Sequence, residues 1–232
     1  MNPVEKLYDS IWKDQATAAP YAGGNDRIDL AIRVVDPGKR FLDLGCSDGV
    51  LAEQLTSRFA DTYGLDISET ALAVARKRGI QTFHVNVDLE PLPFENGYFS
   101  AITCLDLIEH VFEPDVLLAE IARVLAPGGS LYIAFPNMRY IIHIKQLLGG
   151  KFPKTSGDTA YSYDGGHLHY YTPADVRNML ARHGLATMSE WGIVSGGIRN
   201  KWKYRLLKTL LPAPLGQELL SIEFMLKATK PL

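Results

Sequence analysis

The sequence predicts an α/β domain with a mostly parallel sheet covered by helices on both faces. Two observations carry that class. Strand-like apolar runs alternate with helical periodicities from Arg40 to Trp191, a pattern that calls for crossover connections and parallel pairing. In addition, Arg40–Leu55, RFLDLGCSDGVLAEQL, reads as an apolar strand ending in Asp43, a tight turn with Gly45 and Gly49, and an amphipathic helix. A strand, turn and helix in that order bring backbone N–H groups and a helix N-terminus close to a ligand. Asp43 falls at the strand's carboxyl end, where open α/β sheets bind small molecules.

The elements follow in order. A first strand covers Arg40–Leu44 and a first core helix Gly49–Arg58. A second strand, Thr62–Leu65, ends at Asp66, and the next helix, Glu69–Arg78, has Ser68 as N-cap and Gly79 at its end. A third strand over Thr82–Val87 ends at Asp88. After the turn-rich EPLPFENG comes a fourth, Phe99–Cys104. A helix over Pro114–Leu125 is stopped by Pro127-Gly128-Gly129, and strand Ser130–Phe135 ends at Pro136. Thr172 caps a helix over Pro173–His183, with Pro173 in its first turn and Gly184 beyond its end. Strands over Ala186–Trp191 and Ile222–Thr229 complete the set.

With 232 residues the chain suffices for one such domain. Residues 1–38, 137–171 and 195–220 lie outside the core pattern. Long connections in compact domains usually carry function, so they are expected to act as lids over a substrate site. A formal net charge of −2 gives no global field toward nucleic acid. Cys46 and Cys104, the two cysteines, are too few for a disulfide framework and fall at strand ends as small apolar residues. The opening MNPVEKLYDSIWKDQ lacks the apolar region of a signal peptide, and no apolar run approaches the ~20 residues needed to span a bilayer. These features favour the cytoplasm.

The glycine turn separates two ligand classes. A dinucleotide fingerprint requires G-x-G-x-x-G, but those positions hold Gly45, Ser47 and Val50. The stretch Asp43–Gly49, DLGCSDG, instead resembles the D-L-G-C-G-x-G signature of class I S-adenosylmethionine (SAM)-dependent methyltransferases, with Ser47 in place of a common glycine. Local likeness is greatest to the type 11 and type 23 groups. Asp26–Leu51, DRIDLAIRVVDPGKRFLDLGCSDGVL, and Phe135–Asn137 are also similar to the methionine-biosynthesis W proteins. The resemblance implies a Rossmann-like seven-stranded, mostly parallel sheet with its last strand antiparallel beside the fifth.

It also implies a cofactor site for SAM, with S-adenosyl-L-homocysteine as product. Asp66, about twenty residues past the glycine turn, is at the offset of an acid that bonds ribose hydroxyls; Ile67 would lie against adenine. Asp88 matches the acid that receives the adenine amino group, with the Leu89 backbone beside it. Asp43 would face the methionine ammonium, Gly45 and Cys46 would border the methionine moiety, and Gly49 completes the turn. Leu105 and Asp106 would edge the sulfonium and the substrate. Tyr8 and Trp12, four apart on a helical face, match an aromatic lid over SAM or serve as a staple onto the domain.

Methyl transfer from a sulfonium is an in-line displacement, for which the protein supplies alignment and a dry cavity. An oxygen or nitrogen nucleophile can also use a general base. His110, in LDLIEHV, is one catalytic candidate or else a packing histidine. His167 and His169, in DGGHLHYYTP, resemble the H-x-H/R-F-F-T stretch of type 23 members. Alternate residues of an extended segment share a face, so both would point together. His169 is the second catalytic candidate, and a clasp holding the lid is the structural alternative. A two-histidine metal site lacks a third clear ligand in the sequence, so no metal is expected.

From Trp191 to Gln217 there is no acid, while Arg199, Lys201, Lys203, Arg205 and Lys208 alternate with Trp202, Leu206, Leu210 and Leu211. A basic amphipathic helix can lie on a membrane surface, grip an anionic substrate or join a homodimer; a solvated face is the bland alternative. The expected function is therefore SAM-dependent methylation of an oxygen or nitrogen on a small-molecule or lipid/glycan-linked, anionic acceptor, at most peripheral to the membrane. The alternative is a regulatory subunit of this fold that activates a partner enzyme.

Overall fold

The structure, a computed structural model, describes residues 3–15, 20–156, 163–194 and 202–232. Seven strands form one sheet: β1 (Gly38–Leu44), β2 (Phe59–Asp66), β3 (Gln81–His84), β4 (Phe99–Leu105), β5 (Leu125–Pro136), β6 (Ala186–Ile193) and β7 (Glu223–Thr229). Their order is β3-β2-β1-β4-β5-β7-β6. The first five pair in parallel, whereas β7 runs antiparallel between β5 and β6. Leu44 of β1 is level with Leu65 of β2 and with Cys104 of β4, so these three strands end together at one edge. The antiparallel register sets Glu223, at the start of β7, opposite Pro136 at the end of β5. Reversal of one strand thus brings a residue from near the chain's end to the carboxyl edge of the others.

Helices α1 (Pro3–Gln15), α2 (Asp26–Val34), α3 (Val50–Leu55), α4 (Glu69–Lys77), α5 (Pro114–Val124), α6 (Ile141–Leu148), α7 (Pro173–Arg182), α8 (Trp202–Leu210) and α9 (Ala213–Leu220) flank or extend the sheet. Their starts are marked chemically. Asn25 accepts from Arg27 and Ile28 N–H at α2, Ser68 from Ala71 N–H at α4, and Thr172 forms a reciprocal capping box with Asp175 at α7. Apolar side chains cover both sheet faces. Leu42, Leu44, Ile102, Ile133 and Phe224 pack with α5 and α7 on one side, and Phe41, Ala101, Tyr132 and Met225 with α2 and α3 on the other. This double burial explains the continuous apolar strands in the sequence.

Several boundaries differ from the sequence reading for local reasons. The first core helix ends at Leu55 and tightens into a 3-10 turn over Thr56–Arg58. The third strand stops at His84, because Asn86 organises its own turn: its side chain accepts from Asp88 N–H at 3.0 Å and its carbonyl from Leu89 and Glu90 N–H at 3.0 and 2.9 Å. Pro127-Gly128-Gly129 lies within β5 rather than before it, where the register with β4 shifts between Phe99 and Ala101. The 137–171 connection contains α6, and the 195–220 connection contains α8 and α9. Arg199 and Lys201 lie outside the described residues, as do the side chains of Lys203, Arg205 and Lys208.

Candidate active site

At the sheet's carboxyl edge the β1–α3 turn is forced into left-handed backbone: φ is +70° at Gly45, +51° at Ser47 and +79° at Gly49. The two glycines serve different ends. Gly45 borders a cleft of about 430 Å³. Gly49 faces inward, where an added Cβ would stand 2.8 Å from the Cβ of Ala75. Gly49 is therefore a packing glycine between α3 and α4 rather than a ligand contact. The turn's N–H groups are also mostly spent inside the protein. Gly45 and Cys46 N–H both donate to the Leu65 carbonyl at 2.8 and 3.0 Å, and Ser47 N–H donates to Asp66 Oδ2 at 2.9 Å. The expected row of free donors is absent, and Gly45 borders the cleft beside the Leu107 side chain, which lies 3.5 Å from where a Cβ would stand. Cys46 does not line the cleft either; its buried sulfur fills the notch left by Gly64.

Asp66 is the organising carboxylate. Its two oxygens accept from Ser47 and Ser68 N–H, each at 2.9 Å, so one side chain joins the turn to the start of α4. Burial raises its pKa against these bonds. A carboxylate has about four lone-pair positions, and Asp66 also lines the cleft, beside Ile67. Val85, Asn86, Val87 and Asp88 continue that wall. Asp88 Oδ1 accepts from Phe112 N–H at 2.8 Å and so holds the loop after β4. Leu89 faces away, 71% exposed, with its N–H already given to Asn86. Leu105 also misses the cleft and packs against the core; Asp106, at φ +49°, and Leu107 form the wall instead. Asp43, expected to face the methionine ammonium, lines neither cavity. It is buried, accepts from the Thr103 hydroxyl at 2.6 Å, and burial pushes its carboxyl up to about 7.

Helix α1 closes the cleft with Val4, Tyr8, Ile11 and Trp12. It is pinned by buried Asp9, whose Oδ1 accepts from Ser68 Oγ at 2.7 Å and Thr70 N–H at 3.1 Å. Burial, then the carboxylates of Asp66, Glu109 and Asp88, push the Tyr8 hydroxyl up to about 12.

A second cavity of about 340 Å³ adjoins the cleft, and Arg27, Asp106 and His110 line both. Arg27 is a residue that sequence reasoning missed. It projects from α2, bonds Asp106, and bonds Glu223 Oε1 at 3.1 Å. His110 meets Tyr8 edge-to-face, with ring centroids 6.3 Å apart, and His167 at 4.7 Å. Burial and the neighbouring His167 push His110 down to about 4, leaving the ring neutral at pH 7. His169 reaches neither cavity; its ring stacks on Tyr171 at 5.9 Å. The two histidines do not share a face, because Leu168 and His169 N–H both donate to the Glu109 carbonyl and bend the segment. His167, not His169, stands beside His110. With Glu109 these two rings also form the only group with metal-ligand spacing among the described residues.

A 3-2-1-4-5-7-6 sheet with one reversed strand and an acid-lined cleft at its carboxyl edge defines the class I methyltransferase architecture. Residues 42–133 match a family model described as a methyltransferase domain. The ubiquinone biosynthesis O-methyltransferase of Thiobacillus denitrificans is 30% identical over 174 residues, covering 68% of this chain and 71% of that protein. Its counterpart in Aeromonas salmonicida is 27% identical, covering 72% and 71%, and that of Dechloromonas aromatica 34%, covering 58% and 62%. Among solved structures, a SAM-dependent methyltransferase from Mesorhizobium loti superposes with TM-score 0.64 at 20% identity, covering 89% of this chain and 98% of the other. The Streptomyces coelicolor geranyl diphosphate C-methyltransferase, in complex with Mg2+, geranyl diphosphate and S-adenosyl-L-homocysteine, gives 0.64 at 12%, covering 99% and 98%. The chain belongs to the class I SAM-dependent methyltransferases. It is an enzyme of that kind, with SAM as cofactor.

Proposed function

We propose that this methyltransferase transfers the SAM methyl group to a hydroxyl oxygen of a small molecule held in the second cavity. The observation that carries this reading is the shared wall: Arg27, Asp106 and His110 belong to both cavities. A methyl donor in the cleft and an acceptor in the chamber would meet there, as in-line displacement requires. The O-methyltransferase names of the relatives favour oxygen as the nucleophile.

In this arrangement Asp66 holds the ribose, Ile67 and Asp88 flank adenine, and Gly45 leaves room for the methionine chain. Asp43 supplies negative charge below the ammonium, and Arg27 is positioned to take the methionine carboxylate. The acceptor chamber is acidic, with Asp106 and Glu223 opposed by the single Arg27. The reacting end of the acceptor is therefore uncharged, and any anionic portion lies outside this chamber. His110, an unprotonated ring on the shared wall, accepts a hydrogen bond from the reacting hydroxyl. The test is release of S-adenosylhomocysteine over a panel of hydroxylated and amine acceptors. His110→Ala should lower turnover by about 10²-fold or more, the lower end for a proton-transfer group, while calorimetric SAM affinity stays within about twofold. Turnover confined to amines, or an unchanged rate in His110→Ala, would count against this assignment.

We further propose that α8 presents the acceptor from an anionic membrane surface. No helix among the described residues is long and apolar enough to cross a membrane. Trp202, Leu206 and Leu210, spaced four apart and 68%, 48% and 70% exposed, share one helical face in the acid-free stretch. Wild-type protein should sediment with phosphatidylglycerol vesicles, and less as salt rises; the triple change Trp202→Ser, Leu206→Ser, Leu210→Ser should abolish it. Equal sedimentation of both proteins would remove α8 from this role.

A further inference from the structure

Beside the shared wall, the geometry points to a divalent cation site made by Glu109, His110 and His167, placed to take an acceptor oxygen; its use in catalysis rests on the acceptor-chamber reading above. A carboxylate oxygen of Glu109 and one nitrogen from each ring lie within 4.8 Å of one another. That spread matches donor atoms around a single ion, given metal–ligand bonds of about 2.0–2.3 Å.

Glu109 supplies an independent observation. It is 1% exposed, yet neither carboxylate oxygen has a hydrogen-bond partner. Buried carboxylates without donors are rare because burial removes their hydration. The neighbouring ring nitrogen, His167 Nε2, stands 3.9 Å away, beyond hydrogen-bond reach. Asp106 Oδ1, on the same cavity wall, also lacks a donor.

The tautomers add a third point. His110 Nδ1 lies 3.3 Å from the Gly166 carbonyl, which can only accept, so this nitrogen carries the proton. His167 Nδ1 lies 2.6 Å from Thr155 Oγ1. The Thr155 hydroxyl proton is given to Asp164 Oδ2 at 2.9 Å, so its oxygen accepts from His167 Nδ1–H. Both rings are thereby fixed with Nε2 as a bare lone pair. His167 Nε2 stands 3.9 Å from Glu109 Oε1, and a nitrogen of His110 completes the cluster. Metal-binding histidines are oriented in this way, through the second nitrogen. The loop carrying His167 is also tied down: Glu109's carbonyl accepts Leu168 and His169 N–H at 2.8 and 3.1 Å, and buried Asp164 gathers Thr155 and Ser156 N–H at 2.7 and 3.0 Å.

Two nitrogens and one oxygen select first-row ions such as Zn2+ or Mn2+ over Ca2+, which prefers all-oxygen shells. Three protein donors leave coordination positions open. With an ion bound, His110 Nε2 is a ligand and no longer accepts the acceptor's hydrogen bond; an acceptor hydroxyl on the ion would instead lose its proton to water more readily. Its oxygen then forms the bond to the methyl carbon as the carbon–sulfur bond breaks, and sulfur keeps that electron pair as the neutral thioether.

The test uses full-length protein stripped with a chelator and titrated calorimetrically with Zn2+ alone or Mn2+ alone. About one ion per chain is expected. Glu109→Gln and His167→Ala should each weaken it at least about tenfold, with S-adenosylhomocysteine binding kept as the control for a folded cofactor site. Should Glu109→Gln fail to fold, His167→Ala, altered only in the loop, carries the same expectation. Stripped wild type that binds S-adenosylhomocysteine but neither ion overturns the site, as do variants that bind the ion like wild type. Full turnover of a hydroxyl acceptor by chelated enzyme overturns the metal's role and leaves the chamber standing. Ion binding without turnover of any hydroxyl acceptor does the reverse.

Discussion

Asp66→Ala is expected to cost the enzyme both its cofactor and part of its stability. The carboxylate anchors Ser47 and Ser68 N–H at the same time, and hydrogen bonds to charged groups contribute about 1.5–3 kcal/mol each. Its removal orphans two donors, one on a non-glycine residue already in left-handed backbone. Relief of the carboxylate's own burial offsets a part. A net loss of about 2–3 kcal/mol in unfolding free energy is expected, read as a lower denaturant midpoint. Cofactor affinity should fall by about 10- to 100-fold as the ribose contact goes and the turn relaxes. Asp66→Asn retains one acceptor oxygen and should lose less of both. Calorimetry showing wild-type affinity in Asp66→Ala would mean that the ribose is held elsewhere.

Legibility in the sequence tracked the distance over which the chain acts. Asp43, Gly45, Asp66, Ile67 and Asp88 fall at or shortly after strand ends, so an alternating strand and helix pattern places them near one edge without further knowledge. Tyr8 and Trp12 were readable as one helical face for the same local reason. Arg27 and Glu223 were not. They are 196 residues apart and pair only because β7 is reversed, which no local periodicity encodes. Cys46, Gly49 and Leu105 sit within the right motif but turn their atoms to the core, a matter of packing against Gly64, Ala75 and the strand interior. The exchange of His169 for His167 has a similar origin. An extended segment would have put both on one face, but Asp164 and Gly165 adopt left-handed backbone just before it, and the Glu109 carbonyl captures two successive N–H groups. Glu109 itself carried no sequence signal apart from its neighbour His110. Its weight comes from burial without a partner, which only a folded chain reveals.

The second large effect is a pH dependence set by Asp43. Burial is the main cause of its raised carboxyl, with Asp66's charge adding and the Thr103 hydroxyl opposing, and the result lies about 7 against 3.8 for an exposed group. A carboxyl whose folded pKa exceeds its unfolded value holds its proton more tightly when folded. Its stabilising contribution is full below the unfolded value and is lost as pH rises through the folded one. The cofactor-free enzyme should therefore lose up to about 4 kcal/mol from this residue between pH 4 and pH 7, at about 1.4 kcal/mol per pH unit. Asp66 shifts in the same direction and adds to the trend. Asp43→Asn, which keeps the shape without the charge, should flatten the profile and stabilise the empty protein at pH 8. Cofactor binding should respond in the opposite sense. A methionine ammonium above Asp43 favours the ionised carboxylate, so SAM affinity should rise from pH 6 toward pH 8 and binding at pH 6 should release close to one proton. Calorimetry in buffers of different ionisation enthalpy reads that proton directly. Asp43→Asn should bind SAM more weakly and release none. A wild-type enzyme with pH-independent stability and no proton release would place Asp43 in the core alone, with no part in holding the cofactor.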